Sequence, residues 1–75
     1  MIYIDSVGHL MTDGSLEELH VFAQHLGLRR EWFQDKRYKH YDLTTERIRL
    51  KAIRYGAVLV SSKELVRIAK RRVKE

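Results

Sequence analysis

Asp5, His9, Asp13, His40, Tyr41 and Asp42 are the side chains in this 75-residue chain best suited to chemistry. Carboxylate oxygens and imidazole nitrogens suit a divalent metal, so Asp5, Asp13, His40 and Asp42, with His9 beside them, form a candidate set for Mg²⁺, Mn²⁺ or Zn²⁺. The same groups can work without a metal. His9 or His40 can serve as general acid or base near neutral pH, with Asp5 or Asp42 orienting the ring and Tyr41 completing the catalytic set. Ser61, Ser62 and Lys63 form a third candidate group, because they open a helix whose free backbone amides would seat a phosphate. Each residue also has an ordinary alternative. Asp5 can cap a turn, Asp42 can cap a helix, and Asp13 before Gly14 can make a turn. His40 and Tyr41 can be plain loop residues. His20 lies beside an apolar stripe and reads as a half-buried, hydrogen-bonded histidine, whereas His25 falls on an outer, solvated face. The chain has no glycine-rich phosphate loop, no His-Glu-x-x-His and no Gly-x-Ser-x-Gly.

Whether these groups meet depends on the elements that carry them. Ile2-Tyr3-Ile4 reads as a first strand ending at Asp5-Ser6, and residues 7–14, with two glycines, read as a loop. Ser15 and Glu18 have capping-box spacing, and Leu16, Leu19, Ala23 and Leu26 recur at helical spacing, with Phe22 extending the stripe. The first helix is therefore expected over about 16–26, with Gly27 as its stop. Trp32-Phe33 suggests a short second strand near residues 30–34, and Asp35 to Asp42 reads as a second loop. A second helix is expected over about 44–55, with Asp42, Thr44 or Thr45 as its cap, Ile48, Ala52 and Tyr55 on its inner side, Ile53 beside them, and Gly56 as its stop. Ala57-Val58-Leu59-Val60 is an unbroken apolar run and reads as a strand covered on both faces. Ser61 to Glu64 repeats the capping-box spacing and opens a third helix, with Leu65, Val66, Ile68, Ala69 and Val73 inward.

The expected fold is thus a small α/β domain over residues 1–75, with a three-stranded parallel sheet in the order β-α-β-α-β-α, flanked by helices, and its first strand in the middle. In such sheets ligands bind beyond the carboxyl ends of the strands. That edge would gather Asp5, His9 and Asp13, then His40 to Asp42, then Ser61 and Ser62.

Charge is unevenly spread. Residues 1–28 carry four acids and no lysine or arginine, net −4, while residues 29–75 carry all 15 basic residues and six acids, net +9. This asymmetry points to an acidic partner, nucleic acid first. Arg29, Arg30, Lys36 and Arg37 around Trp32, and the run Lys70-Arg71-Arg72, are the candidate nucleic-acid contacts, with Trp32 able to stack on a base. A solvated basic surface is the plainer alternative. Without cysteine there is no disulfide framework and no thiolate zinc site. A domain this short without such staples needs good packing or a partner subunit, so a homo-oligomer, most simply a dimer, is expected. The start has neither the basic region nor the apolar run of a secretory leader, and no stretch reaches the length of a membrane span. Cytoplasm is the expected compartment.

Several segments together resemble a short bacterial and phage family known only as a domain of unknown function. They are Ile2-Tyr3-Ile4-Asp5, Glu18-Leu19-His20 with Ala23 and Leu26-Gly27, Trp32-Phe33-Gln34, His40-Tyr41-Asp42-Leu43, and Ala52-Ile53 with Gly56-Ala57. The resemblance spans nearly the whole chain. It implies a bacterial, archaeal or phage origin, directs attention to Asp5, His9, Asp13, His20 and residues 40–42 together, and supplies no activity. Members usually carry two aspartates after the first strand, where this chain has Asp5-Ser6, and that departure weakens a two-carboxylate mechanism there.

Two functions follow from these readings. One is a phosphate-centred enzyme or ligand-binding domain acting on a nucleotide or nucleic-acid phosphodiester, with or without a divalent metal. The other is a non-catalytic basic module that binds DNA, RNA or a host protein.

Overall fold

A four-residue connection sets the character of the sheet. β1 (Ile2–Ile4) and β2 (His9–Thr12) are joined by residues 5–8, far short of the dozen or more residues a parallel crossover needs. The two strands are therefore antiparallel, with Ile2 opposite Thr12, Tyr3 opposite Met11 and Ile4 opposite Leu10. β3 (Tyr41–Asp42) adds antiparallel to β2, and β4 (Val58–Leu59) pairs parallel with β1. The computed structural model describes residues 1–72 and gives a four-stranded mixed sheet in the order β3-β2-β1-β4. This corrects the three-stranded parallel sheet expected from the sequence.

The correction has two local sources. Residues 9–12, part of the expected loop over 7–14, form β2. Residues 30–34, where a strand is expected, contain a 3₁₀ turn at Arg30–Trp32, and the sheet instead takes Tyr41–Asp42 from the expected second loop. β1 is interior as expected, but its neighbours are β2 and β4. β4 is an edge strand, with Val58 38% and Leu59 57% exposed, so its apolar run does not mark a strand covered on both faces.

Strand side chains alternate between faces. Ile2, Ile4, Leu10 and Tyr41 point toward α1 (Leu16–His25) and α2 (Glu46–Arg54), joining Leu19, Ala23, Leu26, Leu43 and Ala52 in the main core. Fully burying each large apolar side chain contributes about 1.5–3 kcal/mol. On the other face α3 (Ser62–Arg71) packs against β2, and Leu65 and Ile68 of the helix and Met11 of the strand are buried. Val73, assigned to this helix by the sequence pattern, lies outside the described residues.

Caps fix where the helices begin. Ser15, Thr45 and Ser61 accept from the backbone N–H groups of Glu18, Ile48 and Glu64 at 3.2, 3.2 and 3.1 Å. The reciprocal half of both capping boxes is diverted. Glu18 reaches the amino group of Met1 and the Thr12 hydroxyl, and Glu64 pairs with Arg67 and Arg71. Ile48 and Ala52 do face inward on α2, but Ile53 and Tyr55 are exposed. Among the described residues no helix is long and apolar enough to cross a membrane.

Candidate functional site

The turn between β1 and β2 is organised by one carboxylate. Asp5 is 1% exposed. Its Oδ1 accepts from the backbone N–H groups of Val7, Gly8 and His9 at 3.1, 2.9 and 2.9 Å. Its Oδ2 accepts from the Ser62 hydroxyl at 2.7 Å, which ties the turn to the start of α3, and from His9 Nδ1 at 2.9 Å. Burial pushes the Asp5 pKa up, but these hydrogen bonds, that of the His9 ring foremost, outweigh it and hold the group down at about 2. Gly8 completes the turn with φ of 107°, and a Cβ there would sit 2.3 Å from the Leu43 carbonyl oxygen. The Leu43 N–H donates to the Gly8 carbonyl at 2.8 Å, holding the turn against the end of β3.

Register then brings two histidines and a carboxylate together. His9 is directly opposite Asp42, so their side chains share the α3 face of the sheet. His40 precedes Tyr41 by one residue and falls on that same face. An isolated bridge to Gln34 closes the short hairpin that carries it.

The protons on the two rings follow from their partners. Ionised Asp5 can only accept, so His9 Nδ1 carries the hydrogen. The Tyr38 carbonyl can only accept, so His40 Nδ1, 2.5 Å away, also carries the hydrogen. In a neutral ring the lone pair is then on Nε2. His40 Nε2 lies 3.1 Å and His9 Nε2 3.9 Å from Asp42 Oδ1. One ligand atom from each of His9, His40 and Asp42 lies within 4.8 Å of the other two, and the two rings meet edge to face with centroids 5.2 Å apart. Two lone pairs and a carboxylate oxygen repel one another unless a cation, whether a proton or a metal, lies among them. An ion with bonds of about 2.0–2.2 Å in tetrahedral geometry sets its ligand atoms roughly 3.4 Å apart. The distances of 3.1 and 3.9 Å bracket that value. Asp42 is 47% exposed, so the cluster opens to solvent on its side.

The remaining candidates from the sequence fall elsewhere. Asp13 is beyond the far end of β2, where it accepts from the Met1 amino group at 3.0 Å and the Tyr3 hydroxyl at 3.1 Å. The amino group holds its pKa below the ordinary value. The fold therefore does not bring Asp13 to the cluster. Tyr41 points to the opposite face, where it is buried and bonded to His20 Nδ1 at 2.7 Å, and burial raises its pKa. Asp5 is fully occupied as a hydrogen-bond acceptor, so it supports His9 rather than offering an oxygen to an ion. Ser61 spends its hydroxyl on the α3 cap and Ser62 on Asp5, while Lys63 is exposed at the same helix start.

The basic candidates are dispersed over three places. Arg29 and Arg30 follow α1 and pair with Glu31 and Glu17 at 2.9 and 3.8 Å. Lys36 and Arg37 are in the turn before β3, where Arg37 lies 5.4 Å from the Tyr38 ring centre. Lys70, Arg71 and Arg72 end α3, and Arg71 pairs with Glu64 at 3.6 Å. Trp32 is 49% exposed.

Sequence reasoning missed the Tyr38 carbonyl, which fixes the His40 tautomer, because a backbone oxygen has no residue signature. It also missed the cleft of about 160 Å³ that shares His9 and His40 with the cluster and is walled by Met11, Tyr38, Leu65 and Val66. The alternation of His9, Met11 and Tyr3 on one face was the available signal for Met11.

Fold and cluster together define a small mixed-sheet α/β domain with a two-histidine, one-carboxylate corner. The chain belongs to the family described as protein of unknown function (DUF4031), whose family model matches residues 3–72. No curated protein and no solved structure matches the chain.

Proposed function

We propose that this domain holds one divalent transition-metal ion, zinc or manganese, on His9 Nε2, His40 Nε2 and Asp42 Oδ1, and uses the remaining coordination positions to bind and hydrolyse a phosphate ester. The observation that carries this reading is the commitment of both Nδ1 atoms to oxygen acceptors, which leaves the Nε2 atoms of His40 and His9, 3.1 and 3.9 Å from Asp42 Oδ1, with their lone pairs uncommitted in the neutral rings. Metal-bound histidines commonly donate their other ring nitrogen to a carboxylate or a backbone carbonyl, the roles Asp5 and the Tyr38 carbonyl fill here. Two imidazoles with one carboxylate suit zinc or manganese better than magnesium, which prefers oxygen donors and retained water. Three protein ligands leave at least one position open.

A bound ion of this kind lowers the pKa of a coordinated water and polarises a phosphoryl oxygen. The chain's own residues do the rest. Asp5 and Ser62 lock the His9 ring, the Tyr38 carbonyl locks the His40 ring, and exposed Lys63 at the start of α3 adds positive potential for an anionic ligand. The +9 charge of residues 29–75 favours the same class of ligand, nucleic acid included.

Equilibrium dialysis against zinc and manganese with elemental analysis tests the binding, and turnover of bis(4-nitrophenyl) phosphate by apo and loaded protein tests the chemistry. One ion per chain is expected. His9→Ala, His40→Ala and Asp42→Ala should each weaken uptake by more than about 100-fold, beyond the loss typical of a supporting residue, while Asp13→Ala leaves it unchanged. No uptake, or uptake indifferent to all three ligand substitutions, overturns the metal reading. Stoichiometric uptake without turnover overturns its hydrolytic half.

A further inference from the structure

The cleft beside the histidines has its own chemical character. Met11 and Leu65 are buried at 5% and 2% exposure, and Val66 and the Tyr38 ring are half-buried, so four apolar side chains wall a space of about 160 Å³. His9 and His40 belong both to this cleft and to the ligand cluster. Asp5 and Ser62, which also line the cleft, are bonded to each other at 2.7 Å.

We infer that the ligand of this site joins an anionic, metal-coordinating phosphoryl head to a single ring or a similarly small apolar group, with the head at His9, His40 and Asp42 and the ring against Met11, Tyr38, Leu65 and Val66. This rests on the metal reading and adds the substituent to it. Size sets the class. An apolar space of about 150 Å³ accepts a benzene ring, so a cleft of about 160 Å³ has room for one ring, and a second fused ring would extend into solvent. The Met11 thioether in the wall is a favourable neighbour for an aromatic edge. Sequence logic agrees with the placement. Met11 is two residues from His9 on one strand face, and Leu65 and Val66 are one helical turn from Ser62, so the features that build the polar corner also build the apolar wall.

The test uses the full chain loaded with Co²⁺ as a visible reporter and titrated with methylphosphonate, phenylphosphonate and 1-naphthylphosphonate. Phenylphosphonate should bind about tenfold more tightly than methylphosphonate, the gain expected for roughly half-burying one ring. The naphthyl compound should gain nothing over phenyl. Val66→Phe, which fills the cleft, should abolish the phenyl preference while Co²⁺ affinity is unchanged. The three-ligand series needs no substitution, so it stands even where that variant fails to fold. Co²⁺ uptake with equal affinity for all three phosphonates overturns this inference and leaves the metal reading intact. Absence of Co²⁺ uptake overturns the metal reading and this inference with it.

Discussion

Replacing Asp5 by asparagine removes the charge that five donors converge on while keeping the shape. In the folded protein the carboxyl has a pKa of about 2 against an ordinary 3.8. At about 1.4 kcal/mol per pKa unit, that difference is worth roughly 2–3 kcal/mol of stability. Because the folded pKa is depressed, this stability is fully present above the ordinary carboxyl value and is lost as pH falls through the folded value, between about pH 5 and pH 2. Asparagine also turns an NH₂ group toward the Ser62 hydroxyl or the His9 Nδ1–H, setting donor against donor. An unsatisfied buried polar group costs about 1–3 kcal/mol. Urea unfolding of wild type and Asp5→Asn at pH 7 should therefore differ by about 3–6 kcal/mol, a large part of the roughly 4–11 kcal/mol a domain this size commands. Near pH 2 the difference should shrink by about 2 kcal/mol, since the wild-type charge is then partly neutralised. Other carboxylates titrate in that range, Asp13 and Glu18 among them, but they are common to both proteins and cancel in the difference. A variant as stable as wild type at pH 7, or a gap independent of pH, would refute the assignment of Asp5 as the charged anchor of the turn.

Other substitutions probe the same scaffold. Gly8→Ala places a Cβ 2.3 Å from the Leu43 carbonyl oxygen at a φ of 107°, and chemical denaturation should register a loss of more than about 2 kcal/mol, with metal affinity falling as the turn shifts. Tyr41→Phe leaves His20 Nδ1 without its 2.7 Å partner and should cost about 1 kcal/mol in the same assay, with metal uptake unchanged because Tyr41 is on the opposite face. An equal loss of metal binding in Tyr41→Phe would contradict that placement.

Much of the local structure was legible because it is written in short-range chemistry. The three helices start at Ser15, Thr45 and Ser61, each accepting from the N–H three residues on, and α1 stops before a left-handed Gly27 with φ of 89°. The sheet was not legible in the same way. β2 has the sequence His9-Leu10-Met11-Thr12, which carries little strand propensity, and it is held by the Asp5 side chain, which gathers the N–H groups of Val7, Gly8 and His9 into a tight turn. Once that hairpin is missed, a parallel arrangement is the natural expectation and Trp32-Phe33 becomes the nearest β-prone substitute. Residue type nonetheless singles out Asp5, His9, His40 and Asp42, and the structure brings His9, His40 and Asp42 together, with Asp5 behind the His9 ring, at a hairpin register rather than at a parallel sheet edge. Asp13 shares that expectation because it follows the same first strand, but the hairpin carries it to the opposite end, beside Met1.

Anomalous diffraction from crystals grown with zinc is the most direct measurement of the proposed metal centre. The expected result is a single peak per chain at about 2.0–2.2 Å from His9 Nε2, His40 Nε2 and Asp42 Oδ1, with both Nδ1 atoms still bonded to Asp5 and to the Tyr38 carbonyl. A peak held by other residues, or no peak between the two histidines while His40 Nε2 stays paired with Asp42, would contradict it.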